Sequence, residues 1–181
     1  MSRLWILTAV GKDRPGIVAR VTKILYERGG NLEDSAMTRL AGEFAIMLIF
    51  SGSAKVNEEA VRKAFSRLER TMSLAVHLKH LSKAETTTPA KGGKSYRISV
   101  YGADRPGIVF RVSEMLARAG INILDVHTHR SVSGGPSLYL MLLEVEAPAR
   151  VTADRLEARL KALAKTLGVE VSVRSNEAEV L

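Results

Sequence analysis

Apolar residues fall along this chain in two rhythms, one of period two and one of helical period, and their order occurs twice. Residues 3–10 (Arg-Leu-Trp-Ile-Leu-Thr-Ala-Val) read as a buried strand. From Pro15 to Arg28, Ile17, Val21, Ile24 and Leu25 recur at helical spacing, and Gly29-Gly30 stops the helix. A strand at about 31–40, a tight Ala41-Gly42 turn and an apolar strand from Phe44 to Phe50 follow. Asn57 offers an N-cap to a second helix striped by Val61, Phe65, Leu68 and Met72. Leu74, Val76 and Leu78 alternate in a closing strand.

The second half predicts the same order. Tyr96–Tyr101 forms a strand, and Pro106–Ala119 a helix with Ile108, Val112, Met115 and Leu116 inward, broken by Gly120. Strands at about 121–132 and 137–145 precede a helix carrying Leu156, Leu160, Leu163 and Leu167, and Val169, Val171 and Val173 alternate in the last strand. Strand-helix-strand-strand-helix-strand, with hairpin-joined strands, implies an α+β fold: a four-stranded antiparallel sheet with both helices on one face. Strands 44–50 and 138–143 are apolar on both sides, so a second domain or a second chain is expected to cover the other face.

One turn carries the duplication most clearly. Gly-Lys-Asp-Arg-Pro-Gly-Ile-Val at 11–18 returns as Gly-Ala-Asp-Arg-Pro-Gly-Ile-Val at 102–109. Asn31 matches Asn122, Asp34 matches Asp125 and Arg39 matches Arg130 at the same offset of 91. Past a short insert around Ser133-Gly134-Gly135 the register slips by three, aligning Ile46-Met47-Leu48 with Leu140-Met141-Leu142. An insert at that place belongs in a hairpin turn. The expected organisation is a first domain over 1–82, a flexible linker over 83–95, a second domain over 96–175 and a frayed tail over 176–181.

Composition narrows the class. Nearly half the residues are apolar and a quarter charged, as in a globular domain, and no apolar run is long enough to span a bilayer. Met1-Ser2-Arg3 runs straight into a strand pattern without a secretory apolar segment, and there is no cysteine. A cytoplasmic location, no disulfide and no thiolate chemistry are therefore expected. The net charge of +8 is unevenly spread. Residues 1–83 hold 14 Lys and Arg against 8 Asp and Glu, whereas residues 95–181 hold 11 against 10. Arg62, Lys63, Arg67 and Arg70 on the second helix, with Lys79 and Lys83, make a basic surface that could attract nucleic acid or an acidic protein, or be a solvated helix face.

The repeated turn is the candidate site. Gly11 and Gly102 end a strand where the chain reverses, a place for positive φ. Pro15 and Pro106 fit a first helical turn, and Gly16 and Gly107 leave the helix mouth without a side chain. Free N–H groups there and the helix dipole favour a carboxylate by about 0.3–1 kcal/mol. Asp13 and Asp104 could cap the helix or bind an ammonium group, and Asn31 and Asn122 can donate and accept. Together these describe a site for an amino-acid zwitterion. Ordinary strand-to-helix turn chemistry uses the same residues, so the alternative is a purely structural corner.

With these residues in view, the chain resembles the ACT domain family of small ligand-binding modules that regulate amino-acid metabolism. The resemblance rests on Gly-x-Asp-Arg-Pro-Gly-Ile-Val, the helix after it, and Gly-x-Asn-Ile/Leu at the second strand, and it covers both halves. It implies two ferredoxin-like modules that pair through sheet edges or faces into a homo-oligomer, with amino-acid ligands near the turn. It also implies control of transcription through a partner activator protein rather than through DNA. By carry-over, Asp13, Gly16 and Asn31, then Asp104, Gly107 and Asn122, are the ligand-binding candidates, with Gly11, Arg14, Ile17, Gly102, Arg105 and Ile108 beside them.

Other chemistries find little support. Asp125, His127 and His129 share a strand face, but the first half has Asp34, Ala36 and Thr38 there, so no metal is expected, nor any cofactor. His77 and His80 fall on opposite strand faces. There is no Gly-x-Ser-x-Gly, His-Glu-x-x-His or phosphate-binding loop, which argues against an enzyme. Helices that alternate with strands do not form a helix-turn-helix, so sequence-specific DNA binding is not expected. The expectation is a non-catalytic regulator. Its rivals are a protein- or nucleic-acid-binding scaffold whose ligand site has lapsed, and a detached regulatory subunit of a biosynthetic enzyme.

Overall fold

The computed structural model describes residues 3–52, 58–82, 93–131 and 137–176. Asn57, the Ser133-Gly134-Gly135 insert, most of the expected linker and the tail beyond Asn176 lie outside the described residues. The chain divides into two compact units, Met1–Pro89 and Ala90–Leu181. In the first, β1 (Arg3–Lys12), α1 (Ile17–Tyr26), β2 (Gly30–Leu40), β3 (Glu43–Gly52), α2 (Glu58–Met72) and β4 (Leu74–Leu81) follow one another. The second repeats them as β5 (Lys94–Ala103), α3 (Ile108–Arg118), β6 (Asn122–Ser131), β7 (Leu138–Ala147), α4 (Ala153–Leu167) and β8 (Val169–Ser175). Every pairing is antiparallel, in the order β2-β3-β1-β4 and β6-β7-β5-β8.

Each core is the product of the two periodicities. Trp5, Leu7 and Ala9 of β1 point inward beside Phe44, Ile46, Leu48 and Phe50 of β3. They meet Ile17, Val21 and Leu25 of α1 and Val61, Phe65 and Leu68 of α2. In the second unit Ile98, Val100, Met141, Leu143 and Val145 meet Ile108, Val112 and Leu116 of α3 and Leu156 and Leu160 of α4. Burial of each such side chain is worth about 1.5–3 kcal/mol, which sets the one-sided sheet. On the other face Val10, Met47, Tyr101 and Leu142 remain exposed.

The pairing register corrects the sequence alignment. Gly11 faces Phe44 and Gly102 faces Tyr139, so Ile46 corresponds to Met141, and the insert adds four residues rather than three. A one-residue slip exchanges the two faces of a strand. Met141 is accordingly buried, whereas Leu140 is not.

The helix starts are corrected as well. Helices α1 and α3 begin at Ile17 and Ile108, with Gly16 and Gly107 as left-handed N-caps at φ 90° and 94°. Pro15 and Pro106 therefore precede the cap instead of occupying the first turn. At the far ends Gly29 and Gly120, at φ 71° and 70°, end the helices as expected. Among the described residues no helix is long and apolar enough to cross a membrane.

Candidate functional site

The repeated turn closes by the same contacts in both units. The Asp13 N–H donates to the Gly42 carbonyl at 2.9 Å, and the Asp104 N–H donates to the Ser137 carbonyl at 2.9 Å. Gly42 belongs to the β2–β3 hairpin, where Ala41 and Gly42 both have positive φ, 49° and 83°, as a two-residue type I′ turn requires. The hairpin tip thus anchors the strand exit just before each helix mouth.

Its carboxylate is then held by an arginine from the edge strand. Arg39 lies 3.4 Å from Asp13, and Arg130 lies 3.0 Å from Asp104. Strand register brings them together. Gly11 and Arg39 both pair with Phe44, and Gly102 and Arg130 both pair with Tyr139, so each arginine sits two strands, about 10 Å, from the end of the central strand. Arg130 also donates to the Ser137 hydroxyl at 2.9 Å. The arginines carried a visible signal, since they match at the offset of the turn, but the turn alone did not show their use.

The helix mouth itself is open. No side chain caps α1 or α3, and the first intrahelical bonds run from Arg20 N–H to the Gly16 carbonyl and from Arg111 N–H to the Gly107 carbonyl. The N–H groups of the first helical residues therefore have no intrahelical acceptor. A Cβ placed on Gly16 or Gly107 would meet nothing within 4 Å. Asp13 and Asp104 do not cap; they are committed to arginine.

Several expected site residues have other roles. Gly11 and Gly102 lie inside strands without positive φ. Glycine is needed there because a Cβ would stand 2.5 Å from the Ser73 carbonyl oxygen, or 2.9 Å from Val169 Cα. Ile17 and Ile108 bury their side chains in the cores, so only their backbone faces the mouth. Arg14 is exposed, while the Arg105 guanidinium rests against the Gly168 turn. Asn31 and Asn122 do not join the turn of their own module. Asn31 pairs with Ser51, which pairs with Leu4, seven residues or about 23 Å along β1 from Gly11. Asn122 pairs with Glu146 and, through it, lies beside Ser95 at the same distant end of the second sheet.

Asp34 and Asp125, the third matched pair, serve the backbone. Each follows a register shift in its edge strand, and its carboxylate accepts the next residue's N–H, Ser35 at 2.7 Å and Val126 at 2.9 Å. His127 is 2.9 Å from Asp125. Among the described residues no group of three His, Cys, Asp or Glu is arranged to hold a metal.

The two turns differ in one floor residue, Phe44 in the first and Tyr139 in the second. The Tyr139 hydroxyl is buried and makes no hydrogen bond within normal limits. Burial raises its pKa above the ordinary 10.0; the neighbouring Thr128 opposes the rise, and the negative Asp104 adds to it.

Two βαββαβ modules, each opening the same uncapped helix mouth beside an Asp–Arg pair, define a tandem ferredoxin-like α+β protein. The ACT domain family model matches residues 3–79 and 97–174, and the chain belongs to that family. Along its length it resembles the glycine cleavage system transcriptional repressor of Escherichia coli strain K12, 27% identical over 174 residues, 93% of this chain and 87% of that protein. A solved structure of an unknown protein from Galdieria sulphuraria is 25% identical with a TM-score of 0.81, over 97% of this chain and 99% of that one. Another, described as a candidate glycine cleavage system transcriptional repressor, shares the fold with a TM-score of 0.71 at 21% identity, over 97% and 98% of the two chains. The chain is thus a regulatory rather than a catalytic protein.

Proposed function

We propose that the chain is a cytoplasmic, non-catalytic regulator that binds an amino acid or a related small metabolite at its two repeated turns. It acts on amino-acid metabolism through a partner protein, as a repressor similar to that of the glycine cleavage system, and works as a homo-oligomer. The observation that carries this reading is the twice-built arrangement of an uncapped helix N-terminus next to an exposed Asp–Arg pair. A zwitterion can insert its ammonium group toward Asp13 or Asp104. Its carboxylate then faces Arg39 or Arg130 and the open N–H groups of Ile17 or Ile108. The opposed charges of such a ligand match those of the pair it would part. Ligand bound in this way shifts module or subunit packing, and linkage requires the partner to change ligand affinity by the same factor.

The test is a melting-temperature screen of the full chain against the common amino acids and folates. A ligand at 100 times its dissociation constant stabilises the folded form by about 2.7 kcal/mol. The paired variants Asp13→Ala/Asp104→Ala and Arg39→Ala/Arg130→Ala should keep their circular dichroism and lose that rise. Full stabilisation in both variants would reject the turn as the receptor.

A further inference from the structure

On the outer side of the first module, α1 and α2 leave an open groove of about 530 Å³. Its floor is apolar and small: Ile24 from α1, and Ala60, Ala64 and Leu68 from α2. Its banks carry Arg20, Lys23 and Arg28 on one side and Lys63 and Arg67 on the other, with Glu27 the single lining carboxylate. Glu27 is taken up by Lys23 at 3.1 Å. Arg28 donates to the Ile24 and Ala60 carbonyls and so ties the two helices together at one end. Arg20, Lys63 and Arg67 remain as exposed cations along the channel, the last two one helical turn apart on the same bank.

The duplicated fold supplies an internal comparison. Phe65 and Leu160 occupy the same core position in α2 and α4, which places Ala60 and Ala64 opposite Arg155 and Arg159, and Lys63 and Arg67 opposite Ala158 and Ala162. Small and basic residues have changed places. In the second module Arg159 occupies the channel with Arg111 and Arg118 beside it, Glu114 is paired with Arg118, and the groove is smaller, about 280 Å³. The second groove is basic too, so what sets the first module's apart is its larger channel and the alanines on its floor.

We infer that this α1–α2 groove is a docking site for an acidic amphipathic helix of a partner protein. An apolar strip between two cationic banks is complementary to a helix with an apolar face flanked by Asp and Glu. Ala60 and Ala64 let a third helix approach to about 8–10 Å between axes, and large side chains of that helix would rest on Ile24 and Leu68. A small-molecule site would instead bring polar groups to one point, whereas the cations of this groove are spread along both banks of an open channel. A nucleic-acid backbone would gain nothing from the apolar floor. The inference goes beyond the ligand reading and does not use the repeated turn.

The experiment uses the full chain and three labelled probes. They are a helical 16-residue peptide with a Leu face flanked by Glu, the same peptide with Lys for Glu, and a 20-base-pair duplex. Fluorescence anisotropy should show binding of the acidic peptide that weakens with salt, and none of the basic one. Lys63→Glu/Arg67→Glu should weaken it about tenfold or more by opposing the peptide's charge. Ala64→Arg, which fills the floor while adding a cation, should also weaken it, whereas Arg159→Glu in the second module should leave it unchanged. Equal binding of both peptides, no loss in the first-module variants, or tighter binding of the duplex that Ala64→Arg strengthens would overturn the inference. Amino-acid stabilisation in Lys63→Glu/Arg67→Glu reports on the repeated turn separately.

Discussion

Replacing Gly11 by alanine separates two explanations of why the turn is framed by glycines. If glycine were there for ligand access, a methyl group at position 11 would cost little in the unliganded protein, and if it were there for backbone freedom, Asn would recover the loss. The structure places that methyl 2.5 Å from the Ser73 carbonyl oxygen, 2.9 Å from Leu74 Cδ2 and 3.1 Å from Leu74 Cα. Two of these three contacts are to backbone, so no rotamer change relieves them. Strand β4 must move away from the end of β1, where Gly11 pairs with Leu74. Overpacking of this kind costs about 1–3 kcal/mol. Gly16→Ala meets no atom, but it puts a side chain at φ 90° and costs about 1–2 kcal/mol through the backbone alone. Asn at position 16 should recover part of that loss and Asn at position 11 should not, because only the first problem is conformational.

The assay is unusually clean because the chain has a single tryptophan. Trp5 is buried in the first core and stacked on Phe50 with ring centroids 5.4 Å apart, so its fluorescence follows unfolding of that module alone. With a urea slope near 1 kcal/mol/M, Gly11→Ala should lower the midpoint by about 1–3 M. A shift under about 0.5 M, or full recovery by Asn at position 11, would refute the packing argument.

Three further outcomes follow from the same geometry. Arg39→Ala in the absence of ligand should change stability by no more than about 1 kcal/mol in a urea titration, because its side chain is 72% exposed and solvent screens the pair with Asp13. Tyr139 keeps its proton more firmly in the folded protein than at the ordinary 10.0, so the unfolded state releases it first and stability falls as pH rises above about 10. Tyr139→Phe should flatten that alkaline decline in pH-dependent thermal melts without loss below pH 9. Asp125→Ala frees the Val126 N–H at the β6 irregularity and should cost about 0.5–1.5 kcal/mol, with faster hydrogen exchange at Val126 by NMR.

The fold is legible in the sequence because two local periods agree with the global arrangement in both halves. Ile17, Val21 and Leu25 are spaced for one helix face and do bury it, as do Ile108, Val112 and Leu116. The candidate site was legible only as a duplication. Equality of Asp13 with Asp104 and of Arg39 with Arg130 shows that these residues matter twice, yet says nothing of which touches which. Asn31 looked close to the turn because one helix separates them in the chain. That helix runs antiparallel to β1 and returns the chain to the far end of the sheet, so closeness in sequence became distance along the strand.

From residue order alone came two modules, their element order, their one-sided cores and the placement of the repeated turn between strand and helix. These depend on spacing along the chain, which a linear string contains in full. The Asp–Arg pairing, the steric reason for Gly11, the four-residue insert and the basic groove of the first module depend on which strands and helices lie side by side. Hydrogen-bond register and helix packing settle that, and a one-residue change in register, such as the one that buries Met141 instead of Leu140, leaves no trace in composition or periodicity.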